Sequence, residues 1–237
     1  AILDALGDPN NRKVVWRASS QVGKSLILIL FLLGIIKYMP APTMLAMDTI
    51  QKAGEFYKNR VGGIVQANPE ILDLVSSTVA KNARNKIPKN FPGGRIHLAG
   101  ATNASSLSSH PVKYAVGDEI GRWKRSASKE GDPVQLLDAR LETYRGSELM
   151  YLCSTPTVLG FCKITEDFDL GTQEFWNFKC IDCEEHFKPT WDLVTYNDDL
   201  SEVGIFCPHC GSVHDDQRRV QAAQAGKFVA ENPNGHY

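Results

Sequence analysis

The chain has 237 residues, 43% of them hydrophobic and 22% charged, with a formal net charge of −1. That balance suits a soluble globular core and supplies no global basic field, so any nucleic-acid contact has to come from a local patch. The most apolar run, Leu26 to Ile36, is eleven residues long, against the ~20 needed to cross a bilayer, and is read as a helix buried on nearly all sides rather than a membrane span.

The start, "AILDALGDPNNRK", lacks the basic, apolar and small-residue sequence of a secretory signal. With Ala1 first and "ENPNGHY" last, the chain reads as an excised fragment. "KVVW" is a short buried strand, a glycine-containing loop follows, and Ser25 to Lys37 is a helix. "TMLAMD" is a second strand, and Thr49 to Lys58 carries helical spacing through Ile50, Ala53, Phe56 and Tyr57. "GGRIHLAGA" reads as strand or hairpin and "VKYAV" as a buried strand. "DPVQLLDARLETYR" reads as a helix capped by Asp132 with Pro133 in its first position. "ELMYLCST" is a further strand. Strands alternating with helices imply a mostly parallel α/β sheet covered on both faces. From about Gly171 the texture changes to short aromatic and cysteine-containing pieces, which places a core domain at 1–170 and a second module at 171–237.

Ala18 to Ser25 fits the phosphate-loop pattern, with alanine in place of its first glycine and Gly23-Lys24-Ser25 at its end. In such a loop the backbone N–H groups of Ser19, Ser20, Gln21, Val22 and Gly23 wrap a phosphate. Lys24 reaches the β and γ oxygens, the Ser25 hydroxyl ligates Mg²⁺, and the following helix adds its positive end. "VKYAVGDEIG" delivers Asp118 and Glu119 at the C-terminal end of a strand, where ligands sit in open α/β sheets. Asp118 suits Mg²⁺ held through water and Glu119 suits deprotonation of the attacking water, so hydrolysis of ATP is favoured over nucleotide storage. Ser154, Thr155 and Thr157, at the end of "LMYLCSTPT", are either hydroxyls that sense the γ-phosphate or caps of a proline turn.

Four of the six cysteines, Cys180, Cys183, Cys207 and Cys210, form C-x₂-C-x₂₃-C-x₂-C. Two tight knuckles pointing four thiolates at one place make the closed tetrahedron of structural Zn²⁺. His186, His209 and His214 are substitute ligands that four cysteines leave unneeded, and Cys153 and Cys162 read as buried small hydrophobes.

These blocks resemble the lambda-type large terminase subunits of tailed bacteriophages. "ALGDPNNRKVVWRASSQVGKS", "FPGGRIHLAGATNASSLSSHPVKYAVGDEIGRW", "EGDPVQLLDARLETYRG", "LCSTPT" and the C-x-x-C pairs occur in that family's order and cover nearly the whole chain. The resemblance implies a P-loop ATPase core whose hydrolysis drives double-stranded viral DNA into a procapsid. It implies Lys24, Ser25, Asp118 and Glu119 in the roles above, and Ser154, Thr155 and Thr157 in coupling hydrolysis to movement. It also implies a catalytic contact of Arg17 with the γ-phosphate. The implied partners are DNA, the portal protein, the small terminase subunit and further copies of the chain in a ring, in the cytoplasm of an infected bacterium with no membrane involved. A nuclease domain, which would make the full-length protein an endonuclease too, follows in that family. This chain stops at Gly235-His236-Tyr237, so no nuclease residue is assigned. Two residues depart from the pattern: Gly117 where a bulky apolar residue usually precedes the acids, and Gly121 where an acidic residue is common.

The loop "RWKRSASKEG" gathers Arg122, Lys124, Arg125 and Lys129, either as a solvated face or as a contact with DNA phosphates. Arg140 and Arg145 are candidates for an arginine that completes a neighbour's ATP site. The competing readings are a helicase or remodeller, for which the length leaves no second nucleotide-sandwiching domain, and a non-hydrolysing zinc-bearing DNA-binding module.

Overall fold

The structure is a computed structural model and describes residues 2–76, 89–158 and 160–235; His236 and Tyr237 lie outside the described residues. The chain divides into two compact units, one running from Ile2 to Asp169 and the other from Leu170 onward.

In the first unit, α1 (Ile2–Gly7), β1 (Lys13–Arg17) and α2 (Lys24–Tyr38) lead into β2 (Thr43–Met47) and α3 (Ile50–Phe56). A π turn at Tyr57–Val61 joins α3 to α4 (Gly62–Ala67) and α5 (Pro69–Ser76). Then come β3 (Asn90–Phe91), β4 (Gly94–Gly100), α6 (Ala104–Leu107), β5 (Tyr114–Asp118), α7 (Pro133–Asp138), β6 (Leu149–Ser154) and α8 (Lys163–Asp169). The sheet order is β1-β6-β5-β2-β4-β3, parallel throughout except for the β3–β4 hairpin. Strands β2, β5 and β6 are buried at every residue, as strands covered on both faces must be.

Alternation along the strands builds two cores. Leu45, Val116, Tyr151 and Cys153 face α2, and Phe31 of α2 sets its ring edge-on against Tyr114 and Tyr151, at 6.0 Å from each. Met44, Ala115, Met150 and Leu152 face the other way, toward α6, α7 and α8. The predicted burial of α2 holds for most of its surface, but Leu26 and Leu30 form an exposed stripe. The predicted helix after Asp132 is shorter than its pattern. Asp132 does cap it, accepting from the Val134 N–H at 2.8 Å, but regular helix stops at Asp138. The Arg140 carbonyl accepts from the Val112 N–H at 3.0 Å, and that long-range bond draws the chain out of the helical path.

Gly117 has a packing reason. A Cβ there would lie 2.8 Å from Leu152, 3.0 Å from Ile120 and 3.1 Å from the Trp123 ring. The indole of Trp123 occupies the space a larger residue at 117 would take, and its Nε1 donates to the Asp118 carbonyl at 3.0 Å.

The second unit holds two antiparallel sheets. In the first, β7 (Glu174–Lys179) lies between β8 (His186–Phe187) and β12 (Lys227–Ala230). In the second, β10 (Val203–Phe206) lies between β9 (Val194–Tyr196) and β11 (Val213–His214), and α9 spans Asp216–Gln224. Its hydrophobic cluster is small: Cys180, Phe187, Leu193, Ile205 and Cys207. A core of that size needs a further staple.

Replacing Gly117 with leucine should cost about 1–3 kcal/mol through overpacking. Urea unfolding should show most of that loss recovered in a Gly117→Leu, Trp123→Leu double variant, since the two side chains compete for one volume.

Candidate functional site

Strands β1, β6 and β5 are neighbours, so the three segments singled out in the sequence end side by side. Arg17 is level with Ser154, and Asp118 with Cys153. The Ala18 N–H donates to the Ser154 carbonyl at 3.2 Å and pins the base of the loop to β6. The loop then turns through positive φ at Gln21 (63°) and Gly23 (88°), the backbone alternation that gathers N–H groups into an anion-binding nest. Ser19, Ser20, Gln21, Val22, Gly23 and Ser25 are exposed, whereas Lys24 is 7% exposed. Its Nζ donates to the Ser19 carbonyl at 2.7 Å and to Thr155 Oγ1 at 2.9 Å. Both acceptors are neutral.

Asp118 shares the α2 face of the sheet and is 8% exposed. Burial pushes its carboxyl above the usual range, against the Cys153 thiol, which donates to Oδ1 at 3.2 Å. The Cys153 thiol is itself pushed well up, first by burial and then by the facing carboxylate, and so stays protonated. Cys153 is the buried packing residue that the sequence implies, and the register that sets it level with Asp118 adds the bond to the carboxylate. Glu119 sits in the left-handed region at φ 54°, an uncommon conformation for a residue with a side chain. Its Oε2 is shielded from solvent with no hydrogen-bond partner, and the Arg122 Nε lies 3.5 Å away.

The Ser-Thr-Pro-Thr segment divides its work. Thr155 meets Lys24, while Ser154 and Thr157 grip the backbone that follows the acids. Ser154 Oγ accepts from the Gly121 N–H at 3.0 Å, and Thr157 Oγ1 donates to the Gly121 carbonyl at 3.1 Å. A Cβ at 121 would lie 2.9 Å from both Ser154 Oγ and the Thr155 carbonyl. The close approach therefore requires glycine. Cys162 accepts from the Thr157 N–H at 3.2 Å, another contact that sequence reading missed.

Arg17 lies on the other face of the sheet, its guanidinium 4.0 Å over the Phe168 ring and 3.5 Å from Asp169. The basic loop spends part of its charge internally: Arg125 pairs with Glu166 at 2.7 Å, and Arg122 pairs with Glu119. Arg140 donates to the Ser108 carbonyl at 3.1 Å, and Arg145 pairs with Glu142.

In the second unit the cysteine pairs sit in matching turns. Cys180 and Cys183 lie between β7 and β8, Cys207 and Cys210 between β10 and β11. The Glu184 N–H donates to the Cys180 carbonyl at 3.1 Å, and the Gly211 N–H to the Cys207 carbonyl at 2.8 Å. Residues 184 and 211 both take positive φ, so glutamate stands in one turn where glycine stands in the other. The four Sγ atoms all lie within 4.8 Å of one another, with Cys180–Cys210 and Cys183–Cys207 at 3.7 Å. Tetrahedral Zn–S bonds of ~2.3 Å give edges of about 3.8 Å. Burial pushes the Cys180 thiol up, but N–H groups of Cys183 and Asp182 outweigh it and bring the thiol down to about 5. The Glu185 N–H pulls Cys183 down, but burial and the neighbouring thiols push it up to about 12. Four thiols this close oppose one another's ionisation, and a cation among them would relieve that opposition. His214, fully buried, brings Nε2 to 3.5 Å from Cys180 Sγ, beside the cluster rather than within it.

Residues 1–228 match the family described as "Phage terminase large subunit gpA, ATPase domain". The chain belongs to that family. A curated relative, the terminase large subunit of Enterobacteria phage P21, is 24% identical over 98% of this chain, and this chain spans 37% of that relative's length. Two solved structures share the fold. The Thermus phage P74-26 large terminase ATPase domain has 17% identity and a TM-score of 0.53, over 81% of each chain. The bacteriophage HK97 large terminase has 14% identity and a TM-score of 0.52, over 71% of this chain and 34% of that one. Among the described residues no helix is long and apolar enough to cross a membrane.

Thr155→Val keeps the shape of the side chain but removes one acceptor from the buried Lys24 ammonium. It should destabilise the domain by about 1–3 kcal/mol in urea unfolding. The same change in a Lys24→Met background should cost much less, because no cation is left to satisfy.

Proposed function

We propose that this terminase ATPase domain hydrolyses ATP to drive double-stranded viral DNA into a procapsid, acting in a homo-oligomeric ring docked on the portal protein and served by the small terminase subunit. The observation that carries the ATP reading is Lys24, a nearly buried ammonium whose hydrogen bonds among the described residues go to a backbone carbonyl and a hydroxyl at the mouth of the loop. Phosphate oxygens replace those two neutral acceptors with charged ones. The N–H groups of Ser19 to Gly23 cradle the phosphates. Ser25 and Asp118 are the residues that would hold Mg²⁺, which would supply positive charge to the phosphates, and the raised carboxyl of Asp118 is the state a cation would relieve. Glu119, whose Oε2 accepts no hydrogen bond and faces the Arg122 guanidinium at 3.5 Å, takes the proton of the attacking water.

When Lys24 turns to phosphate it releases Thr155, so occupancy of the loop reaches the end of β6. Ser154 and Thr157 carry the change to Gly121, one residue beyond the Glu119-Ile120 pair. Arg17 contributes at the γ-phosphate after leaving Phe168. In the second unit we assign Cys180, Cys183, Cys207 and Cys210 to one structural Zn²⁺, supported by the 3.7 Å sulfur edges and by the small core the metal would staple. An endonuclease in the full-length protein, and a site of action in the cytoplasm of an infected bacterium, complete the proposal.

Glu119→Gln should bind Mg-ATP with unchanged affinity while kcat falls about 10²–10⁴-fold, whereas Lys24→Ala should raise the Kd for ATP itself. Wild-type turnover by Glu119→Gln in a phosphate-release assay would remove the base assignment. Metal analysis of protein purified without chelator should give about one zinc per chain. Cys207→Ser should release that zinc and lower protection from hydrogen exchange after Leu170, leaving the parallel sheet protected. Metal-free wild-type protein with full protection throughout would defeat the zinc assignment.

A further inference from the structure

The charge of the chain is unevenly divided. Residues 1–169 hold 21 Lys and Arg against 16 Asp and Glu, while residues 170–237 hold 5 against 11, a net −6. A DNA-binding module would have the opposite sign. The second unit also carries an open groove of about 1240 Å³ along β9 and β10, with Trp191, Tyr196 and Val203 on its walls. Those side chains are 89%, 67% and 51% exposed. Apolar surface of this kind, and an exposed tryptophan above all, marks contact sites.

Among the described residues no strand pairs with the outer side of the backbone beside these side chains. Strand β9 is the edge of its sheet. Asn197 N–H donates to the Glu202 carbonyl at 3.1 Å, and the register sets Tyr196 opposite Val203. In an antiparallel pair hydrogen-bonded positions alternate, so Thr195 bonds inward to β10 while Val194 and Tyr196 turn their N–H and C=O groups outward. Acidic residues surround this edge. Asp192, Asp198 and Asp199 are exposed beside β9 in the chain, exposed Glu202 and Asp215 line the groove, and the one arginine among the groove's lining residues, Arg219, is paired with Asp216 at 2.6 Å.

We infer that the open edge of β9 is a docking site for a basic, extended polypeptide segment that adds to the sheet as a fourth strand. Main-chain bonds to Val194 and Tyr196 supply affinity. Alternate apolar side chains lie against Trp191, Tyr196 and Val203, and the intervening lysines or arginines face the acidic rim. Acidic residues at a sheet edge also serve to keep edges apart. Here they do so selectively, since pairing two copies of this edge brings two acidic rims together, whereas a basic strand meets opposite charge.

The test uses the whole chain and a fluorescein-labelled peptide, Lys-Val-Lys-Thr-Lys-Val-Lys-Thr, followed by anisotropy in low salt. Saturable binding is expected, weakened at least tenfold by Trp191→Ala, by exchange of every peptide lysine for glutamate, and by N-methylation of the peptide at the residues that pair with β9. Trp191 is so exposed that Trp191→Ala should leave circular dichroism and melting temperature unchanged. Failure of the lysine peptide to bind, or binding indifferent to N-methylation or to Trp191→Ala, overturns the proposal. So does binding of a labelled 30-base-pair duplex that Trp191→Ala abolishes, since the groove would then be a DNA surface.

Discussion

A cation held almost out of water by uncharged oxygens is the constraint on which the first unit turns. Lys24 gives its protons to the Ser19 carbonyl and the Thr155 hydroxyl, two acceptors that orient the ammonium without cancelling its charge. A carboxylate in either place would form an ion pair that a phosphate then had to break. The arrangement also ties two chain segments far apart in sequence to one ammonium group, so the loop after β1 and the end of β6 respond together to whatever the lysine binds.

The parallel sheet makes that response possible. Because β6 lies between β1 and β5, its last residues are within hydrogen-bond reach of both the phosphate loop and the acid-bearing turn. One side of the Ser-Thr-Pro-Thr turn faces Lys24 and the other faces Gly121. Packing there is tight enough to exclude even a methyl group, as the 2.9 Å clearances around an added Cβ show. Tight packing of this kind transmits displacement, since neither side can move without the other.

Much of this was legible in the sequence because the relevant signals are local. Strand, small-residue loop and apolar helix are contiguous from Lys13 to Tyr38, and the acid pair ends an apolar run at Asp118. What stayed hidden depended on which strands became neighbours. Cys153 fills the core as its sequence context implies, but the bond from its thiol to Asp118 depends on the β5–β6 register. The helix after Asp132 looked longer than it is because the Val112–Arg140 bond that ends it joins residues with no sequence relation. Arg17 reads as a loop-head cation, yet strand alternation sends it to the far face, where Phe168 receives it. In the second unit the spacing of four cysteines foretold their convergence, but nothing in the spacing revealed that His214 would be buried against one of them.

The pairing of Gly117 with Trp123 makes the ground beneath the acid pair the product of two positions. An indole arriving from further along the chain packs over the strand residue that has no side chain, and its N–H then bonds the Asp118 carbonyl. The support of Asp118 therefore depends on the turn after the strand as much as on the strand itself.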